Sequence, residues 1–248
     1  MSRRRDTRFW LVSLAALLAV ALTASLGVWQ LGRAGQKRAL QQAIETQAGL
    51  PAWGNVELLG RTDPAQDAHR PVQLVGRWVQ GATLFLDNRP MNGRTGFIVL
   101  TPMRLSGSER AVLVQRGWVP RDFQDRQRLP EVPTPTHEVT LAGRLALPPS
   151  QLFDLGPGGQ GPIRQNVALA ELAREWGVPL LEGVSVLQTG ADGQALQRDW
   201  PRFVGDEHKH LAYAAQWFAM SAIVAGLYFW FQILQPRSRR KTHGTDAR

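Results

Sequence analysis

The sequence predicts an α+β membrane protein: two transmembrane helices flanking a β-rich antiparallel domain, sheet or barrel-like, that carries one or two helices of its own. Three observations lead there. Two stretches, Phe9 to Gly32 and Leu211 to Leu234, each run for 24 residues without a formal charge. The roughly 178 residues between them break into short apolar or alternating runs separated by Gly, Pro, Asn and Asp, the pattern of strands and turns. Cations gather at both ends of the chain, beside the apolar stretches. The layout is a tail over 1–8, a first span over 9–32, a middle domain over 33–210, a second span over 211–234 and a basic tail over 235–248.

At about 1.5 Å of rise per residue a span of this length reaches about 36 Å, enough to cross the hydrocarbon core with some tilt. Phe9, Trp10 and Trp29 on the first span, and Tyr213, Trp217, Tyr228 and Trp230 on the second, put aromatic rings near the ends, where interfaces favour them. Both spans are rich in Ala, Ser and Gly, so they are expected to pack as a pair. Residues 1–8 carry +3 and residues 235–248 carry +4 of a total +9, leaving +2 for everything else. Both termini are therefore expected in the cytoplasm and the middle domain in the periplasm, although Arg33, Lys37 and Arg38 on the far side reduce the bias. Basicity explained by orientation is no sign of nucleic-acid binding. A cleavable signal peptide is the competing reading of the first span. Its apolar run is about twice the usual signal core, and Thr23 with Ser25 makes a poor cleavage site, so an uncleaved anchor is expected. The short stretch before Phe9 leaves no room for an organelle transit peptide, which points to a bacterial inner (cytoplasmic) membrane.

Arg33 to Gly49 continues the first helix as a polar, Gln- and Ala-rich projection that Pro51 ends. Strands are expected at Val72 to Val79, Thr83 to Asp87, Gly96 to Leu105, Ala111 to Val119, Val139 to Leu147 and Gly183 to Gln188. Asp87 to Gly93 reads as the turn between two of them, and also as a binding loop. Asn166 to Gly177 is the one convincing helix of the domain. Asn166 is the expected cap, Leu169, Leu172, Ala173 and Trp176 share a face, and Gly177 with Pro179 stops it. Leu155 to Ile163 is a Gly/Pro loop.

The chain contains no cysteine, which excludes disulfides, thiolate metal sites, covalent c-type haem attachment and Cys-X-X-Cys redox chemistry. With only four methionines it is not a methionine-rich copper carrier. It also lacks a nucleophile elbow, a His-Glu-X-X-His motif, a phosphate loop and a dinucleotide fingerprint, so an enzyme is not expected. Titratable groups at the membrane edge stand out instead. On a helix starting near Lys209, His210, Tyr213, Trp217 and Val224 share one face, an imidazole above aromatic rings. An imidazole of this kind is a normal axial ligand for haem iron, and flat apolar walls suit a macrocycle; a plain interfacial anchor fits the same residues. Asp206, Glu207, His208 and His210 form a possible metal cluster, against which Lys209 in their midst argues. Gln115-Arg116-Gly117-Trp118 reads either as an arginine pointing to solvent with Trp118 in the core, or as a clamp for a carboxylate. His69, His137 and His243 are expected to be solvated.

Four motifs give the chain a family resemblance: Gly27-Val28-Trp29-Gln30-Leu31-Gly32-Arg33 with Lys37, LDNRPMNGRTGFIVLTPMRL at 86–105, VLVQRGWVPRD at 112–122, and HLAYAAQWFAM at 210–220. Together, in this order between two spans, they resemble the Surfeit locus protein 1 family of cytochrome c oxidase assembly factors. The resemblance implies a factor that binds haem a and helps to install it in cytochrome c oxidase subunit I, with haem A synthase as a further partner and the lipid bilayer around its spans. A histidine at the start of the second span is implicated as haem a ligand in bacterial members, and His210 is the matching residue. The chain departs from the family pattern at His208, where Asn is common, and at Gln36, where an aromatic residue is common.

On that basis His210 is the expected axial ligand of haem iron, with Trp29, Tyr213, Trp217 and Phe218 lining the ring and Arg33 or Lys37 meeting the propionates. Two other classes of function remain open. One is a scaffold that grips oxidase subunits and never touches haem. The other is a membrane-anchored periplasmic enzyme using carboxylates such as Asp87, Asp122 or Asp154, which would have to face one another in a pocket.

Overall fold

The computed structural model describes residues 3–234, apart from 123, 126–127, 152–160, 192–195 and 201–206. The chain divides into two compact units, one formed by Met1–Gln42 with Phe203–Arg248 and the other by Ala43–Arg202.

In the first unit, α1 (Arg3–Ala48) is one continuous helix and α4 (Glu207–Tyr228) another, whose last turn widens to π geometry over Phe229–Leu234. Both are long and apolar enough to cross a membrane. They pack antiparallel. The less exposed positions of α1 include Ser13, Ala16, Val20, Thr23, Gly27 and Gln30, and those of α4 include His210, Ala214, Trp217, Ser221, Val224 and Tyr228. Each set advances in alternate steps of three and four residues, the spacing of a coiled-coil seam. Polar atoms are paired across it: Ser13 Oγ lies 2.7 Å from Tyr228 Oη, Ser221 Oγ donates to the Val20 carbonyl at 3.4 Å, and Arg38 Nε donates to Glu207 Oε2 at 2.9 Å. At Gly27 an added Cβ would stand 2.7 Å from the Phe218 ring, so glycine is what lets that ring lie on α1.

In the second unit seven strands form one sheet: β1 (Pro71–Trp78), β2 (Leu84–Met91), β3 (Arg94–Leu105), β4 (Ala111–Pro120), β5 (Val139–Ala146), β6 (Ile163–Arg164) and β7 (Leu180–Gln188). Their order is β1-β5-β7-β4-β3-β2-β6, and a further β1–β3 pairing closes five of them into a ring. All six expected strands are present. The expected antiparallel pairing needs one correction, because β4 and β7 run parallel. A closed ring of five strands cannot alternate direction throughout, so one parallel neighbour pair is unavoidable. The two-residue β6, parallel to β2, is too short to leave a periodic signal in the sequence. The expected Asp87–Gly93 turn also resolves differently: β2 continues to Met91 through a bulge after Leu86, and only Asn92 (φ 50°) and Gly93 (φ 74°) make the hairpin turn.

One ring face encloses a core from every ring strand, including Leu74, Met103, Val114, Leu145 and Val186. Ring closure depends on glycine: a Cβ at Gly76 would fall 2.2 Å from the Arg104 carbonyl oxygen across the β1–β3 junction. The other face of β4 is covered by α3 (Leu169–Trp176), which lays Leu169, Leu172, Ala173 and Trp176 against Leu86, Leu100 and Leu113. Covered on both faces, β4 is buried from Ala111 to Val119. The face expected for α3 and its stop at Gly177 in the left-handed conformation are as the spacing predicts, but Asn166 does not cap it. The cap position is Ala168, two residues later, without a side-chain bond. Two further short elements, α2 (Asn55–Leu59) and a 3-10 turn (Pro64–Asp67), lie before β1, and the Leu155–Ile163 loop falls mostly outside the described residues.

Candidate functional site

Gln30 on α1 and His210 on α4 meet across the helix seam, with Nδ1 of the imidazole 2.8 Å from Oε1 of the amide. An amide oxygen only accepts, so Nδ1 is the donor, and in the neutral form of the ring the lone pair is then on Nε2. No hydrogen-bond partner for Nε2 exists among the described residues. This is the arrangement in which histidine serves as a metal ligand: one ring nitrogen is anchored and the other is presented.

The expected ring-lining residues separate into two groups. Trp217 lies on the seam with His210, whereas Tyr213 and Trp29 are each 54% exposed on the outer surfaces of their helices. The single face expected for His210, Tyr213, Trp217 and Val224 is therefore corrected. At about 100° per residue the seam steps four from His210 to Ala214 and three more to Trp217, so Tyr213, about 60° round from His210 on the other side from Ala214, falls at its edge. Arg33 extends along α1 with its guanidinium 5.8 Å from the Trp29 ring centroid and donates from Nη1 to Gln36 Oε1 at 3.3 Å. Trp29, Arg33 and Gln36 thus line one outward strip of the helix. Gln30 is the functional contact that residue type and spacing along α4 do not reveal. Its signal was a long amide in an otherwise apolar run, a group that needs a partner inside a bilayer.

The other candidates are placed elsewhere. Glu207 turns to Arg38, His208 is exposed and Asp206 lies outside the described residues, so no metal cluster forms among those described. Arg116 neither points to solvent nor stands ready as a clamp. The β3–β4 register skips it, and the guanidinium is turned into the domain, 4.3 Å from the Trp78 ring centroid, donating from Nη2 to the Pro133 carbonyl at 2.8 Å. Trp118 is buried as expected and donates from Nε1 to the Arg89 carbonyl at 2.7 Å. Asp87 is paired with Arg121, while Asp122 accepts backbone N–H bonds from Gln124 and Asp125 that hold its carboxyl below the usual range. Asp154 and His243 lie outside the described residues. His137 is exposed on the rim of an open groove of about 850 Å³ that also contains Trp78 and Glu138. His69 is not simply solvated. It is half-buried with φ 75° and its Nδ1 stands 3.3 Å from Arg144 Nη1; burial, then the neighbouring cation, pushes the imidazole below its ordinary range.

The SURF1 family profile matches residues 17–222, a stretch that contains the closed ring, the four motifs, α1 from residue 17 onward and α4 as far as residue 222. The chain belongs to the SURF1 family. This SURF1-family chain is 23% identical over 227 residues to a SURF1-like protein of Rickettsia felis, covering 87% of this chain and 94% of that protein. It is 25% identical over 232 residues to a SURF1-like protein of Drosophila melanogaster, covering 86% and 75%. A third relative, the cytochrome oxidase assembly protein SHY1 of Saccharomyces cerevisiae, is 28% identical over 131 residues, 51% of this chain and 33% of SHY1.

Proposed function

We propose that this chain is an assembly factor of a haem-copper cytochrome c oxidase that holds haem a through His210 and hands it to subunit I, receiving it from haem A synthase. Family membership and the assembly role named for the yeast relative support the first half of this reading. The observation that carries the second is the Gln30–His210 hydrogen bond, which fixes one imidazole nitrogen and leaves the other as a donor. The remaining residues bear on where a porphyrin would sit. The seam is too tight for a ring, because Ala214 is 1% exposed and Gly27 already touches Phe218, so the macrocycle meets the pair from its lipid side. Tyr213 and Trp29 supply exposed aromatic surface on the outer sides of α4 and α1, Phe218 is partly exposed where it lies on Gly27, and Arg33 supplies a cation for propionates. His210 Nε2 would hold haem a, whose iron would supply the bond to the protein. A single ligand on an open flank suits a carrier, since release requires breaking one bond and no cage has to open.

The same reading puts both termini on the cytoplasmic side of a bacterial inner membrane and the β domain in the periplasm, following the basic tails. The test is purification from membranes of a host that makes haem A, with Soret and α bands read for wild type and His210→Ala. The expected result is a haem a spectrum in wild type that His210→Ala lacks while keeping its helical content. Pigment undiminished in His210→Ala refutes the ligand. A colourless wild type favours a scaffold, for which the Gln30–His210 bond would be only a tie between helices.

A further inference from the structure

A second concavity, on the β domain and unused by the haem reading, holds about 300 Å³. Its walls are largely apolar, with Ile98, Leu147, Leu187 and Trp200 among them, and two arginines, Arg89 and Arg144, line it as well. Arg89 is the unusual one. It is only 7% exposed, and its bonds go to neutral oxygens alone: Nη1 donates to Ser150 Oγ at 3.2 Å, and Nη2 donates to the Ser150 carbonyl at 2.7 Å and the Gln165 carbonyl at 3.1 Å. Its Nε is buried without an acceptor. No carboxylate among the described residues pairs with it, in contrast to Arg38, Arg61, Arg104, Arg121, Arg128 and Arg164. Desolvation depresses its protonation, as expected for a buried cation without a counter-charge.

The chain goes to some length to put a charge there. The β2 bulge after Leu86, with Asn88 at φ 57°, re-aims the strand just before Arg89, and Trp118 pins the Arg89 carbonyl. A buried cation is costly unless an anion meets it, and burying one that only neutral oxygens surround gives no return in stability. Among the described residues no carboxylate supplies that charge, and the concavity beside Arg89 leaves room for an anion from outside the chain. Three of the five guanidinium N–H donors of Arg89 are used, so few remain, which suits a monoanion better than a phosphate dianion. The apolar walls add a requirement for a hydrophobic body.

We infer that this pocket binds a small organic carboxylate, its head group taken by Arg89 beside Arg144 and its apolar body laid against Ile98, Leu187 and Trp200. The test is calorimetric titration of the full chain in detergent with benzoate, with benzamide as the uncharged isostere and inorganic phosphate as the competing anion. Saturable benzoate binding is expected, with benzamide weaker by about tenfold or more, as loss of a charge-assisted bond implies. Arg89→Gln should weaken benzoate by a similar factor. Since Arg89 also ties Ser150 and Gln165, Leu147→Trp at the exposed rim gives a second variant that narrows the pocket without touching those bonds, and it too should weaken benzoate. Wild type without saturable benzoate binding, benzamide bound as tightly as benzoate, phosphate bound more tightly than benzoate, or benzoate affinity unchanged in a folded Arg89→Gln would each overturn the assignment. None of these readings depends on haem.

Discussion

Replacing Gln30 by leucine separates a positioning role for the amide from a merely structural one. The substitution keeps the bulk of the side chain, leaves the helix propensity of α1 close to unchanged and removes only the acceptor 2.8 Å from His210 Nδ1. As a tie between α1 and α4, that bond contributes about 0.5–1.5 kcal/mol, the usual net value of one neutral hydrogen bond. If the amide also orients the imidazole and raises its basicity toward iron, losing it should cost about tenfold to a hundredfold in haem affinity, or about 1.4–2.7 kcal/mol. The assay follows Soret absorbance per polypeptide while apo-myoglobin in excess strips pigment from the purified protein, with far-UV circular dichroism as the fold control. Gln30→Leu should lose its pigment at least tenfold faster than wild type, and Gln30→Glu, which restores an acceptor with a full charge, should hold it at least as well as wild type. Wild-type retention by Gln30→Leu, alongside loss in His210→Ala, would refute the claim that the amide presents the ligand.

Three further outcomes follow from other parts of the molecule. Gly76→Val, whose Cβ would lie 2.2 Å from the Arg104 carbonyl at ring closure, should lower stability by about 3 kcal/mol or more, whereas Gly81→Ala, in open space at φ 72°, should cost about 1 kcal/mol; urea midpoints of the purified protein compare them. Because burial and Arg144 hold His69 below its ordinary range in the folded state, the unfolded chain binds more protons just beneath about pH 6.5, so the stability contributed by His69 is complete above that pH and is lost as the pH falls. His69→Asn, which tolerates the positive φ, should flatten the slope of stability just below about pH 6.5, read from unfolding midpoints against pH. An alkaline phosphatase fusion after Arg248 should be inactive and one inserted at the Asn92–Gly93 turn active; the reverse pattern would overturn the proposed orientation.

The β domain was legible strand by strand because each strand announces itself locally, through alternation and through the Gly, Pro and Asn residues that end it. What joins the strands was not. Closure of the ring rests on Gly76 against Arg104, residues 28 positions apart, and no periodicity marks which glycine makes a close approach. The parallel β4–β7 pair follows from the odd number of strands in the ring, a property of the closed object that no single segment carries. The helix cap failed for a related reason. Asn166 is a good cap by type, but the chain first has to leave β6 and reach the sheet face, and that path puts Ala168 at the helix start.

The site shows where such reading stops. His210 could be singled out because a titratable ring at the edge of a bilayer is expensive to place, which makes its presence a signal in itself. Its neighbours along the helix could then be listed by spacing, but spacing gives only the face of one helix, and a seam is made by two. Tyr213 is close to His210 in that one-helix view and yet leaves the seam, while Gln30, 180 positions away, bonds the ring. The difference has a functional consequence. Had Tyr213 and Trp29 packed into the seam, their rings would have filled the interface between the helices. Standing outside it, they are exposed apolar surface on the pair, and under the proposed function that surface would be open to a flat hydrophobic ligand held at His210.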